Sequence, residues 1–208
     1  MAPASVPSVD GTEVGRNAPA TRSAAGPADG GAEEGWPVAS GTTALSVAVP
    51  EVDAVVRGWR ARYDTAARHG GVAHVTVLFP FLHRDLITAA ERAALRGLFA
   101  ARPAFTLTFA DCARFPGVLY LVPEPAAPLR ALTAEVARRW PSHPPYGGLF
   151  GELAPHLTVA NSGGEDVHRR AEAHLRARLP VTAQVDSVDL VVHEEGRWLP
   201  WLDFPLGR

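Results

Sequence analysis

One order of elements occurs twice in this chain, and that repetition constrains the fold more than any other feature. Val49-Pro50-Glu51 closes a short apolar strand and opens a helix, and Val122-Pro123-Glu124 does the same 73 residues later. Each helix leads to a strand carrying His-x-Thr-Val: His74-Val75-Thr76-Val77, and then His156-Leu157-Thr158-Val159, 82 residues further on. An offset that changes by the length of a loop is what a diverged duplication leaves behind. With strands pairing mostly locally, the pattern predicts an α+β fold: two pseudo-symmetric lobes, each a strand-helix-strand-helix-strand unit, with mostly antiparallel sheets flanking a central cleft.

Periodicity fills in the elements. Residues 44–49 read as a strand that Pro50 stops, and Val52, Val55, Val56, Trp59 and Tyr63 then recur at helical spacing. Residues 73–79 are β-branched and short, hence a strand. A helix over 85–101 is expected to bury Leu86, Ala90, Ala94, Leu95 and Leu98. Phe105, Leu107 and Phe109 alternate with threonines as a half-buried strand. After a Pro116-Gly117 turn, residues 118–122 form another. In the second copy, one helix turns Leu129, Leu132, Val136 and Trp140 inward. A Pro/Gly-rich loop over 141–151 precedes a strand at 155–160, and a further helix buries Val167, Ala171, Leu175 and Leu179. Two strands, 181–193 and 198–204, close the chain around a Glu194-Glu195-Gly196 turn.

Residues 1–42 differ from the rest. They are dominated by Ala, Gly, Pro and Ser and contain no Leu, Ile, Phe or Tyr. Such a segment buries too little apolar area to offset its conformational entropy and is expected to be disordered. Residues 43–208 then carry the folded domain, in lobes of roughly 43–117 and 118–208 with room for strand exchange.

Charge narrows the partners. Twenty basic residues, every one an Arg, stand against 22 acidic ones for a formal net charge of -2. That balance argues against a protein that coats long nucleic acid, but it allows a local Arg pocket for one phosphate. Arg62, Arg114 and Arg130 are candidates for such a contact. Cys112 is the only cysteine, so neither an intramolecular disulfide nor a zinc cluster is expected. No apolar run is long enough to span a membrane, and no basic segment followed by an apolar one opens the chain. A cytoplasmic monomer is expected.

The repeated tetrapeptides carry the chemistry. Strand period is two, so His74 and Thr76 face one way while Val75 and Val77 face the other, and the same holds for His156 and Thr158. A pseudo-two-fold axis would bring two imidazoles and two hydroxyls into one cleft. Two imidazoles on opposite sides of a phosphorus can serve as general base and general acid near neutral pH. Two threonine hydroxyls can hold the non-bridging oxygens as charge develops. No metal is required. A metal site is the weaker reading, since no Asp, Glu or Cys in either strand completes a ligand shell, and Asp111 and Glu152 are near only in sequence. Cys112 has no histidine partner in a recognisable motif, and no nucleophile elbow, P-loop or G-x-G-x-x-G is present. His69, His83, His143, His168, His174 and His193 lack a paired partner and read as structural or solvated.

The paired H-x-T-V motifs, with the stretches 73–82, 115–124 and 146–161, resemble the 2H phosphoesterase superfamily, and within it the bacterial 2'-5' RNA ligase family proteins. The resemblance spans residues 43–205. It implies a bilobal fold around a cleft and metal-independent, cofactor-free chemistry at cyclic or 2'-5'-linked phosphoesters. By position, it makes His74 and His156 the catalytic pair and Thr76 and Thr158 the phosphate-binding residues, with base and acid exchanging between forward and reverse reactions. Tyr146, in the loop before the second motif, is a candidate to line the cleft and stack on a base. Of Phe79 and Phe81, one is expected in the core and the other on the floor of the site, with Phe81 the candidate for substrate contact. The expected reaction opens the 2',3'-cyclic phosphate of a small nucleotide or an RNA end. The alternatives are 2'-5' joining, the reverse direction, and a non-catalytic module that binds nucleotides or RNA ends. The intact His and Thr pairs count against the last.

Overall fold

The computed structural model of the chain describes residues 38–149 and 154–208, so nearly all of the 1–42 segment lies outside the described residues. In chain order the elements are β1 (Thr43–Ala48), α1 (Pro50–Tyr63), α2 (Thr65–Arg68), β2 (His74–Leu78), α3 (Ala89–Ala100), β3 (Phe105–Phe115) and β4 (Val118–Glu124). They continue with α4 (Ala127–Arg139), β5 (Leu157–Ala160), α5 (Gly164–Arg176), β6 (Val181–Val185), β7 (Ser187–Glu194) and β8 (Arg197–Pro205). The strands form two four-stranded antiparallel sheets, ordered β2-β1-β7-β8 and β5-β4-β3-β6. Set side by side, the two orders match strand for strand, with the His-x-Thr strands β2 and β5 at corresponding edges. This is the two-lobed α+β architecture that the repeat predicts.

Strands exchange between the halves of the chain. β3, from the first half, lies inside the second sheet, while β7 and β8 from the C-terminus complete the first. The helices exchange too. α1 packs on β5 and β6, whereas α4 packs on β2; α3 stays with β8 and α5 with β3 and β4. Each sheet is thus covered partly by a helix from the other half, and one apolar cluster joins Leu45 and Val47 of β1 to Leu119 and Leu121 of β4. Phe99, Phe109 and Phe204 are fully buried in it, each stabilising the fold by roughly 1.5–3 kcal/mol.

Two sequence expectations need correction. Residues 181–193 are two strands in different sheets, not one. Ala183 and Val185 face the core in β6, whereas Val188, Leu190 and Val192 do so in β7. The inward phase therefore switches from odd to even at Asp186, where the chain crosses between sheets. The helix expected over 85–101 begins later. Thr88 caps it, its hydroxyl accepting from the Ala90 and Glu91 N–H groups, and Leu86 sits in a separate 3-10 turn with 55% of its surface exposed. The helix then buries Leu95 and Phe99, with Ala94 and Leu98 half-buried beside them.

β7 and β8 are joined by Glu195 and Gly196, both in the left-handed region at φ 48° and 77°. That is the geometry of a two-residue primed turn, which suits the twist of a hairpin.

Candidate active site

The two motifs meet because their strands are edges. Val75 and Val77 are buried on β2, as are Leu157 and Val159 on β5, so period two sends His74, Thr76 and Thr158 to the opposite side. β2 and β5 lie against each other. His74, Thr76, His156 and Thr158 consequently line one cleft of about 990 Å³. The first sheet supplies the floor. Ala44, Ser46 and Ala48 alternate along β1 into the cleft, and Asp189, Val191 and His193 do so along β7. The small β1 side chains leave the space above them open to a ligand.

Both motif histidines are held in the same way. His74 Nδ1 lies 2.7 Å from the Val72 carbonyl, and His156 Nδ1 lies 2.9 Å from the Ala154 carbonyl. A carbonyl only accepts, so each Nδ1 carries the proton, leaving Nε2 as the nitrogen available to a substrate. Burial lowers the pKa of each imidazole, and for His74 the neighbouring Arg60 lowers it further, against the Val72 bond and Asp64, which raise it. Their surroundings differ. His156 stands edge-on to the stacked pair of Phe115 and Tyr120, with centroids at 5.2 and 5.5 Å. His74 instead lies within the field of an ion pair, Arg60–Asp64, whose side chains are 4% and 1% exposed.

That pair was not legible as part of the site. Arg60 Nε donates to Asp64 at 2.9 Å, and the other Asp64 oxygen caps α2 by accepting from Ala66 N–H. Asn161, just past β5, accepts from the Thr65 N–H and hydroxyl and donates its own N–H to the Tyr63 carbonyl. These bonds tie the end of the second motif strand to the α1–α2 junction. The register of one lobe against the other is thereby set next to the histidines.

Tyr146 lines the cleft as expected. Its backbone is left-handed at φ 51°, its N–H donates to the Phe79 carbonyl at 2.6 Å, and its hydroxyl is hydrogen-bonded with the Thr76 side chain. Phe81 does not reach the cleft. It is 3% exposed and packs edge-on against Trp140 and His143, because its N–H bonds the Thr43 carbonyl and draws this stretch onto β1. Phe79 takes the cleft position instead, between Tyr146 and Trp198 at 6.0 and 5.9 Å. The arginine candidates are also displaced. Arg114 pairs with Glu165 and Glu172 on α5, and neither Arg62 nor Arg130 lines the cleft. The cleft arginines are Arg60 and Arg68. His69 and His193, read as structural or solvated, line it as well. Sequence reasoning also missed Asp189 and Trp198, although the alternation of Asp189, Val191 and His193 was there to be read.

Among the described residues, no group of three His, Cys, Asp or Glu side chains is placed to hold a metal ion. No described helix is long and apolar enough to cross a membrane.

A family model described as the 2'-5' RNA ligase superfamily matches residues 48–197. No curated protein sequence matches significantly. Among solved structures, the chain is similar to E. coli LigT complexed with 3'-AMP, at 20% identity and a TM-score of 0.53, covering 82% of this chain and 100% of that one. LigT complexed with NADP+ gives 19% identity and 0.51, over 81% and 99%. The protein TT0787 of Thermus thermophilus gives 17% identity and 0.52, over 80% and 99%. At these identities the likeness is one of fold.

Proposed function

The chain belongs to the 2'-5' RNA ligase superfamily, and on that footing we propose that it is a two-histidine phosphoesterase that opens the 2',3'-cyclic phosphate of a small nucleotide or an RNA end. One observation carries this reading: two imidazoles, each with Nδ1 tied to a carbonyl two residues upstream, share a cleft with two strand-borne threonine hydroxyls. With the phosphorus between the motifs, Nε2 of one histidine takes the proton of a water as its oxygen attacks phosphorus. Nε2–H of the other gives a proton to the ribose oxygen as its bond to phosphorus breaks. Thr76 and Thr158 donate to the non-bridging oxygens. Their branched side chains have restricted rotamers on a strand, so little reorganisation is needed. His74 and His156 are the catalytic residues of this scheme. With a 5'-hydroxyl in place of water as the nucleophile, and the ribose 3'-oxygen leaving, the same groups join a 2'-5' linkage.

Charge in the cleft favours a small substrate. Arg60 and Arg68 are matched by Asp64 and Asp189, and Arg60 is already committed to Asp64, so little net field steers a long polyanion. Nucleotides do seat on this fold, since LigT has been crystallised with 3'-AMP, ATP and NADP+.

The test is hydrolysis of the four 2',3'-cyclic nucleoside monophosphates in EDTA, with the product end identified by phosphorus NMR. Turnover that survives chelation is the expected result. A folded protein that turns over neither these nor a cyclic-phosphate-terminated oligonucleotide would overturn the proposal.

A further inference from the structure

Asp189 is an acid on the cleft floor with no part in the two-histidine scheme. Thr76 on β2 pairs with Ser46 on β1, and Ser46 pairs with Asp189 on β7, so the three stand in one cross-strand row. Two strand spacings put Asp189 about 10 Å from Thr76, with only the small Ser46 side chain between. That span suits the distance from the phosphate of a nucleotide to the far edge of its base.

The carboxylate is held in an otherwise unfavourable place. It accepts the Ala48 N–H, and Asp203 on β8 is its direct cross-strand partner. Like charges opposite each other on a sheet are destabilising, and among the described residues Asp189 has no cationic partner to offset this. Burial and the Asp203 carboxylate push its pKa up. A carboxylate keeps several acceptor sites beyond the one Ala48 uses. Donors from a ligand would satisfy them.

The wall beyond the floor is aromatic: Tyr146, Phe79 and Trp198 in edge contact, with Trp198 in turn against His193 at 5.2 Å. Such a wall suits the flat face of a base. What Asp189 then meets is the base's polar edge, and only one common base answers an all-acceptor group with two adjacent donors. Guanine presents N1–H beside its 2-amino group. Adenine and cytosine set one amino group beside an acceptor nitrogen, and uracil sets its N–H between two carbonyls.

We infer that Asp189 is a specificity-determining residue that reads guanine by accepting paired hydrogen bonds from N1–H and the 2-amino group. The inference rests on the proposed seating of phosphate between the two motifs.

Calorimetric titration of the full chain with 3'-GMP, 3'-AMP, 3'-CMP and 3'-UMP, beside Asp189→Asn, tests it. Turnover of the four 2',3'-cyclic nucleotides is measured in parallel. The expected result is a guanine margin of about tenfold or more, lost in Asp189→Asn while 3'-UMP affinity is retained. Equal affinities in the parent chain, or a margin that Asp189→Asn keeps, would overturn it. If Asp189→Asn melts early, Asp189→Ser replaces it, and the parent's own base preference still decides. Guanine-selective binding without any turnover would uphold the inference and reject the phosphoesterase reading. Equal turnover of all four nucleotides, with equal binding, would do the reverse.

Discussion

His74 and His156 hang from equivalent bonds, each Nδ1 donating to the carbonyl two residues before it, at Val72 and at Ala154. The duplication therefore preserved the backbone that fixes the tautomer as well as the side chains. The two imidazoles present the same nitrogen to the cleft, which a base and an acid that exchange roles require.

The pH profile follows from their burial. Both pKa values lie below the ordinary 6.5 or so of histidine. In the proposed two-histidine scheme the active form of the unliganded protein has one imidazole neutral and one protonated, so kcat/KM should be greatest midway between the two values. The maximum is expected on the acid side of pH 6.5, with activity falling as pH rises and the proton donor is lost. A pH series of kcat/KM on a cyclic nucleotide checks this; a maximum at or above pH 7 contradicts it.

Phe79 and Phe81 should separate binding from folding. Phe81→Ala empties a core position against Trp140 and is expected to cost about 3–5 kcal/mol of stability. Phe79→Ala removes part of the cleft wall and should raise KM with a smaller change in stability. Denaturant melts beside Michaelis kinetics distinguish them. Equal behaviour of the two variants would mean that the assignment of wall and core is mistaken.

This pair also marks a limit of what the sequence discloses. The facing of His74 and Thr76 was legible because β2 keeps register with β1 from His74 to Thr76, with Val75 inward between them. Phe79 and Phe81 share the same parity, but β2 ends at Leu78, and past that point a two-residue period assigns no side. The sheet orders were hidden for another reason. β1 pairs with β7 across most of the chain, a choice that no local pattern encodes. The break at Asp186 was encoded, as a change of inward phase between Val185 and Val188, and could have been found. Arg60 and Asp64 look like an ordinary solvated i,i+4 pair on a helix. Only the packing around α1 buries them.

The Arg60–Asp64 pair should act on His74 as well as on the fold. Removing one partner of a buried ion pair leaves an uncompensated charge, at a cost of about 3–5 kcal/mol. Asp64→Asn and Arg60→Met are both expected to destabilise by that order. Their effects on His74 should oppose each other, because Asp64 raises its pKa and Arg60 lowers it. The pH maximum should move down in Asp64→Asn and up in Arg60→Met. Destabilisation without any movement of the profile would leave the pair a purely structural feature.

The central claim is that the two imidazoles act as one unit, and a double-mutant comparison tests it most directly. Single-turnover rates on a 2',3'-cyclic nucleotide are measured in EDTA for the parent, His74→Ala, His156→Ala and the double variant, with folding checked for each. Groups that act together are strongly non-additive, so each single substitution should lose nearly as much rate as both combined. Losses that multiply independently, or one substitution that leaves the rate intact, would contradict the account.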